Sequence, residues 1–303
     1  MERIVVATRG SVLALAQTSR VLSLLRWAAP QYEYVRQVVR TRAEREHPLQ
    51  GAEEGGALVR DLEVAVREGQ ADLAVHHFKD VPYDLLPGLV IPSVPFRGDP
   101  REAFLSNRFP SLRRLPDGAL IATSGLRRKA QLLFINPTWR FTELWGSLEQ
   151  RLFRLQENSL DALVLAGYGI DAIGLGERIT ERVSFGEMLP AAAQGAIALE
   201  CREEDTHLRK ILSFLDDPLL HAAALAERAF YRQMFGGYRV PVGVHAWAEG
   251  DRLWVEGLFA SPDGRRVHRE ALDGPLFAPE ILGMRLARLL LERGGAEGFA
   301  VGL

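Results

Sequence analysis

The run His76-His77-Phe78-Lys79-Asp80-Val81-Pro82 brings two imidazoles, an ammonium and a carboxylate into five consecutive positions, His76 to Asp80. It follows Ala71-Asp72-Leu73-Ala74-Val75, an apolar stretch that reads as a buried strand. The carboxyl edge of such a strand is where open α/β sheets hold their ligands. A carboxylate placed there can stabilise a developing cation and move protons. Lys79 is conspicuous, because only Lys79, Lys129 and Lys210 are lysines among 37 Lys plus Arg. In so arginine-rich a chain, a lysine beside an aspartate points to a demand for a compact point charge. The competing reading is a solvated polar turn closed by Pro82. His76 and His77 are strand neighbours, point to opposite faces and should not chelate one metal. No metal site is expected.

Two further segments carry the residues of an anion site. Ile4-Val5-Val6-Ala7-Thr8-Arg9-Gly10-Ser11 reads as a strand, a small polar turn and the start of a helix. Leu120-Ile121-Ala122-Thr123-Ser124-Gly125-Leu126-Arg127-Arg128 repeats that plan. A helix N-terminus offers unpaired N–H groups and partial positive charge, and Arg9, Ser11, Thr123, Ser124, Arg127 and Arg128 add directed donors. Ser and Thr cap most helices, so either segment alone is ordinary. Together they predict a cleft between two lobes that grips a small polyanion. Arg151 and Arg154 share one helical face by their spacing; Arg154 reads as solvated. No Gly-x-x-x-x-Gly-Lys-Ser/Thr loop accompanies these residues, which argues against nucleoside triphosphate chemistry. Cys201, the sole cysteine, reads as buried filler rather than nucleophile.

The elements that must position these groups alternate between strand and helix. Strands are expected at Arg3 to Thr8, Tyr32 to Val39 and 72–77, with helices at Ser11 to Trp27 and Ala57 to Glu68. Residues 42–56 lack apolar period and read as a mobile loop. The order then restarts: strand Ala119 to Thr123, helix Leu126 to Ile135, strand Trp139 to Leu144, helix Leu148 to Gln156, strand Asp161 to Ala166. Such alternation predicts parallel sheets faced by helices. Gly195 to Cys201 is expected to return a strand to the first unit. A helix Leu219 to Met234, strands near Val244 to Ala248, Leu253 to Leu258 and Val267 to Leu272, and a helix Pro279 to Glu292 suggest a small α+β domain. The expected division is residues 1–96 with 193–215, then 97–192, then 216–303.

A chain of 303 residues with 47% hydrophobic and 25% charged residues is an ordinary globular protein, long enough for two or three domains. Its net charge of -2 offers no footprint for nucleic acid. No apolar run reaches membrane-span length. The start of the chain runs straight into a strand without a signal segment. The expectation is a cytoplasmic protein, monomeric, with neither nucleic acid nor membrane as partner.

Ala7-Thr8-Arg9 with Ser11, His76-x-x-Lys79-Asp80-Val81-Pro82, Leu126-Arg127-Arg128, Leu189-Pro190-Ala191 with Gln194-Gly195-Ala196, Glu200-Cys201-Arg202 and Ala226-Glu227-Arg228-Ala229 are together similar to the porphobilinogen deaminase (hydroxymethylbilane synthase) family. The resemblance runs in order from residue 3 to about residue 292. It implies an α/β fold of two lobes like the type II periplasmic binding proteins, with a small C-terminal α+β domain. The activity implied is condensation of porphobilinogen to hydroxymethylbilane with loss of ammonia, in tetrapyrrole biosynthesis. By the resemblance Asp80 is the catalytic carboxylate. Arg9, Ser11, Lys79, Thr123, Ser124, Arg127, Arg128, Arg151 and Gln194 hold the substrate's carboxylates.

The family carries a dipyrromethane cofactor on a cysteine in Gly-Gly-Cys-x-Val-Pro. Here that run is Gly236-Gly237-Tyr238-Arg239-Val240-Pro241, and a phenol with a pKa near 10 is a poor nucleophile at neutral pH. No cofactor attachment is expected at Tyr238, and Cys201 matches a different family cysteine. Further departures are Trp145 for a cleft arginine, Gly125 and His77 for serines, Gly55 for a lysine, and Ala43-Glu44 for Gly-Asp. Two readings stay open: a divergent deaminase, or a non-catalytic protein that binds a pyrrole or other small polycarboxylate.

Overall fold

The computed structural model describes residues 2–40, 56, 58–144, 146, 148–156, 160–234 and 241–294. Tyr238, Trp145, Gly55, Ala43 and Glu44 lie outside the described residues, as does all but the last residue of the 42–56 loop. The chain opens with β1 (Arg3–Thr8), α1 (Val12–Ala28), β2 (Glu33–Val38), α2 (Arg60–Arg67), β3 (Leu73–His77) and β4 (Leu89–Ser93). It continues with β5 (Glu102–Leu105), β6 (Leu120–Ala122), α3 (Leu126–Ile135), β7 (Arg140–Thr142), α4 (Leu148–Gln156), β8 (Ala162–Ala166), α5 (Gly167–Ala172) and β9 (Glu181–Arg182). Then come β10 (Ile197–Arg202), α6 (Thr206–Ser213), α7 (Pro218–Gln233), β11 (Val242–Glu249), β12 (Arg252–Ala260), β13 (Val267–Pro275) and α8 (Pro279–Gly294). Among the described residues no helix is long and apolar enough to cross a membrane.

The first sheet has the order β2-β1-β3-β10-β4 and the second β7-β6-β8-β5-β9. In each, three neighbouring strands run parallel: β1 with β2 and β3, and β6 with β7 and β8. The expected all-parallel sheets are therefore mixed. β10 enters at the carboxyl end of β3, pairing Ile197 with His77 and Cys201 with Leu73, so it must run antiparallel. β5 likewise runs antiparallel to β8 and β9. The elements the periodicity missed include the four-residue β5 and two-residue β9, too brief to display a repeat, and the eight-residue α6.

The chain divides into two compact units, Met1–Gly98 with Gly195–His221, and Asp99–Gln194 with Ala222–Leu303. In the first, α1 buries Gln17, Val21 and Leu25, with Thr18 and Leu22 beside them. This i, i+4 stripe faces the core as a helix should. Thr18 Oγ1 sits 2.6 Å from Thr8 Oγ1 and fixes α1 on β1. In the second unit, β5 sends Phe104 to one core with Leu132 and Trp139. Its neighbours Ala103 and Leu105 enter another with Leu152 and Leu163. That is the period-two alternation of a strand covered on both faces.

The β11-β12-β13 sheet is antiparallel and covered by α7 and α8 around Phe230, Val244, Val255 and Leu286. A Cβ at Gly283 would lie 2.1 Å from the Ala226 carbonyl oxygen. Glycine is required there for the two helices to meet. Glu227, fully buried on α7, accepts the N–H groups of Ala193 at 2.6 Å and Ala246 at 2.7 Å. It thereby holds Ala193 at φ 56, the only positive-φ non-glycine residue among those described. The Ala226-Glu227-Arg228-Ala229 motif has its physical reason in that clamp.

Candidate functional site

Strand β3 is buried from Leu73 to His76. Its chain leaves the sheet in one 3₁₀ turn, Phe78–Asp80, pinned by Phe78 N–H to the Ala196 carbonyl at 2.9 Å. Phe78 is 1% exposed and anchors the turn, so Lys79 and Asp80 stand at the carboxyl edge of the sheet. Arg9 and Ser11 arrive at the same edge from the β1–α1 turn. Ser11 caps α1, its Oγ accepting Ala14 N–H at 3.2 Å. A small cavity of about 40 Å³ is lined by Arg9, Ser11, Gln17, His76, His77 and Asp80.

The two histidines diverge as strand alternation requires. His76 turns inward, its Nε2 2.9 Å from Glu200 Oε2, with side chains 2% and 0% exposed. Glu63, also fully buried, has its carboxyl raised above the usual range by burial and by Glu200. His77 turns the other way. Its Nε2 accepts the Gly195 N–H at 3.2 Å and its Nδ1 lies 4.0 Å from Asp80 Oδ2. Burial pushes the His77 imidazole down to about 3, helped by Lys79, Arg9 and Arg97 and opposed by Asp80. His77 is therefore neutral at physiological pH.

The second unit gathers the other predicted residues around a carboxylate the sequence reading passed over. Glu102 is fully buried at the start of β5. It pairs with Arg127 Nη2 at 2.6 Å and Arg128 Nε at 2.8 Å, and accepts Gln194 Nε2 at 3.0 Å. Arg127 also donates to the Leu189 carbonyl at 2.8 Å. Burial lowers its guanidinium from the ordinary value, with Glu102 pulling the other way. Gln194 donates to the Pro100 carbonyl at 2.8 Å. Thr123 Oγ1 donates to the Val164 carbonyl at 2.9 Å, and the Ser124 carbonyl accepts Arg128 Nη1 at 3.3 Å. Arg151 donates to the Gly146 carbonyl at 3.1 Å. Its guanidinium is lowered by burial and by the charge of Arg128. Helix α3 follows Gly125, at φ 91 and with no side-chain cap, and the Arg128 guanidinium ties the turn before it by donating to the Ser124 carbonyl.

The structure thus joins Arg9, Ser11 and Asp80 at one cavity in the first unit, with Lys79 beside them. In the second unit Arg127, Arg128 and Gln194 share Glu102, and Arg151 lies within electrostatic reach of Arg128. Cys201 is fully buried on β10, and burial with Asp205 pushes its thiol up to about 12. A thiol so raised lacks the thiolate that nucleophilic attack requires. Gln17, Glu102 and Glu200 are the residues that sequence reasoning missed. Each had a signal: a polar side chain set into an apolar stripe or strand. The Gln17 Nε2 amide is buried and has no hydrogen-bond acceptor among the described residues.

Residues 4–210 match the family model described as porphobilinogen deaminase, dipyromethane cofactor binding domain. Residues 221–292 match the porphobilinogen deaminase C-terminal domain. The chain is 41% identical over 300 residues to the porphobilinogen deaminase of Stenotrophomonas maltophilia (strain K279a), covering 98% of this chain and 99% of that one. It is 40% identical over 295 residues to that of Xanthomonas oryzae pv. oryzae (strain KACC10331 / KXO85), covering 96% and 97%. Among solved structures, the methionine binding protein MetQ aligns with a TM-score of 0.46 at 15% identity, over 82% of this chain and 99% of the other.

Proposed function

Because the chain belongs to the porphobilinogen deaminase family, we propose that it takes porphobilinogen at the sheet edge that bears Asp80 and releases ammonia from it, condensing the pyrroles toward hydroxymethylbilane without a thioether-held primer. The observation that carries this reading is the Asp80 carboxylate at a sheet edge, sharing a cavity with Arg9 and Ser11. When a pyrrole expels its aminomethyl nitrogen, positive charge develops on the ring and its methylene carbon. A fixed carboxylate stabilises that charge and receives the proton that re-aromatisation releases. Arg9, Ser11 and Lys79 hold acetate and propionate groups at the Asp80 edge, and Arg128 and Arg151, in the second unit, are further candidate carboxylate donors. Arg127, Gln194, Thr123 and Ser124 serve mainly to place those guanidiniums. The partner is a small polycarboxylate pyrrole, handled by a single copy of the chain.

The residues present do not fit covalent dipyrromethane attachment through sulfur. The only thiol is Cys201, sealed on β10 with its ionisation raised to about 12. The position the family uses is Tyr238. The test is Asp80→Asn: porphobilinogen consumption and ammonia release should be lost, and unchanged turnover would refute the reading. A second reading, a non-catalytic protein that binds a pyrrole or other small polycarboxylate, is favoured by Tyr238, Trp145 and Gly55 standing where the family pattern has a cysteine, an arginine and a lysine. It predicts calorimetric binding of porphobilinogen with no ammonia released.

A further inference from the structure

We propose that His77 is a positioning residue for Asp80: it presents a fixed Nδ1–H to the carboxylate while its Nε2 is held by the Gly195 backbone. The inference rests on the Asp80 reading above and adds a residue that stands where the family pattern has a serine. A backbone N–H can only donate, so Nε2, at 3.2 Å from Gly195 N, is the unprotonated ring nitrogen. In a neutral imidazole the proton then resides on Nδ1. That atom faces Asp80 Oδ2 at 4.0 Å. At that separation the contact is electrostatic, and the soft terminal torsion of an aspartate leaves the carboxylate room to turn toward the N–H.

The surroundings keep the ring in that form. The side chain is 9% exposed, and the charged groups acting on it come from several segments. Lys79 and Asp80 follow on the same turn, Arg9 comes from the β1–α1 turn, and Arg97 from the segment after β4. Three of these are cations that oppose imidazolium, and Asp80 is the one anion among them. His77 therefore acts on the carboxylate as a dipole, engaging one oxygen and leaving the other for the cationic pyrrole. The imidazole, tethered at Gly195, has one direction.

The test uses the full-length chain labelled with ¹⁵N histidine, with His77 signals assigned by their loss in His77→Gln. Long-range proton–nitrogen correlation spectra should show the Nδ1–H tautomer, unchanged from pH 8 to pH 5. Asp80→Asn should displace the His77 Nδ1 signal. An Nε2–H tautomer, an imidazolium that titrates near neutrality, or an Nδ1 signal indifferent to Asp80→Asn would overturn the proposal. None of these readings needs turnover, so they stand even where porphobilinogen is not consumed. Where it is, His77→Asn retains an N–H near the Nδ1 position, and His77→Gln retains an acceptor near Nε2 alone. The Gln variant should lose roughly tenfold to a hundredfold in kcat, the worth of one hydrogen bond to a charged group. The Asn variant should stay within about threefold, well inside that range. Equal losses in both would count against a positioning role.

Discussion

Replacing Glu102 by Gln removes the one negative charge that the described residues place directly against Arg127 and Arg128. The pairs are 2.6 and 2.8 Å long, and the three side chains are 0%, 12% and 10% exposed. A glutamine can still accept from one guanidinium, but its NH₂ then meets the other donor. Breaking a buried pair from one side leaves an uncompensated charge and costs about 3–5 kcal/mol. That is a large share of the roughly 5–15 kcal/mol that holds a domain folded. Hydrogen exchange resolved by mass spectrometry reads the effect locally. Protection of the α3 amides, Leu126–Ile135, should fall about a hundredfold or more, at tenfold per 1.4 kcal/mol. The double variant Glu102→Gln with Arg127→Met should recover part of the loss, because it removes one of the stranded charges. Protection unchanged within threefold in the single variant would show that Glu102 does not organise the arginine cluster.

Acid should weaken the fold through His77. Its folded value of about 3 lies below the ordinary 6.5, so the unfolded chain takes the proton first as pH falls. Stability is full above about pH 6.5 and declines below it. Between pH 7.5 and 5.5 the wild type should lose about 1.4 kcal/mol more than His77→Phe, measured by urea midpoints; parallel curves would refute the burial argument. Cys201 should be silent to a disulfide-exchange reagent at pH 8 in the native protein and react once in denaturant, since its thiol is raised to about 12. Rapid native labelling would contradict its placement. Gly283→Ala should lower the melting temperature by disrupting the α7–α8 crossing, where the new Cβ would meet the Ala226 carbonyl at 2.1 Å; an unchanged Tm would mean the helices separate at little cost.

Much of this was legible in the residue order, and the failures have physical causes. Helices Leu126–Ile135 and Leu148–Gln156 were bounded correctly, because their apolar period starts and stops against turn residues. The strand leading to His76 and His77 was legible as an apolar run, and its polar ending as a candidate edge. The direction of β10 was not, since a strand reads the same in either pairing and only its entry point, beside His77, decides. The pairing of Arg127 and Arg128 with Glu102 was not legible, because residue type says nothing about internal neutralisation. Glu102 lies 25 residues before Arg127, and only folding brings it there. The split between His76 and His77 followed from strand alternation alone, whereas their partners, Glu200 and the Gly195 backbone, come from a strand and a turn more than 100 residues further along the chain.

The central claim is that the Asp80 site works on porphobilinogen without a primer bonded to the protein. The most direct measurement follows one sample of the purified chain incubated with porphobilinogen, recording ammonia release and intact protein mass together. The account predicts ammonia release matched to porphobilinogen consumption, with the protein mass staying at that of the bare 33.7 kDa chain. A dipyrromethane increment on the protein, above all one mapped to Tyr238, or an absence of ammonia release from the wild type, would contradict it.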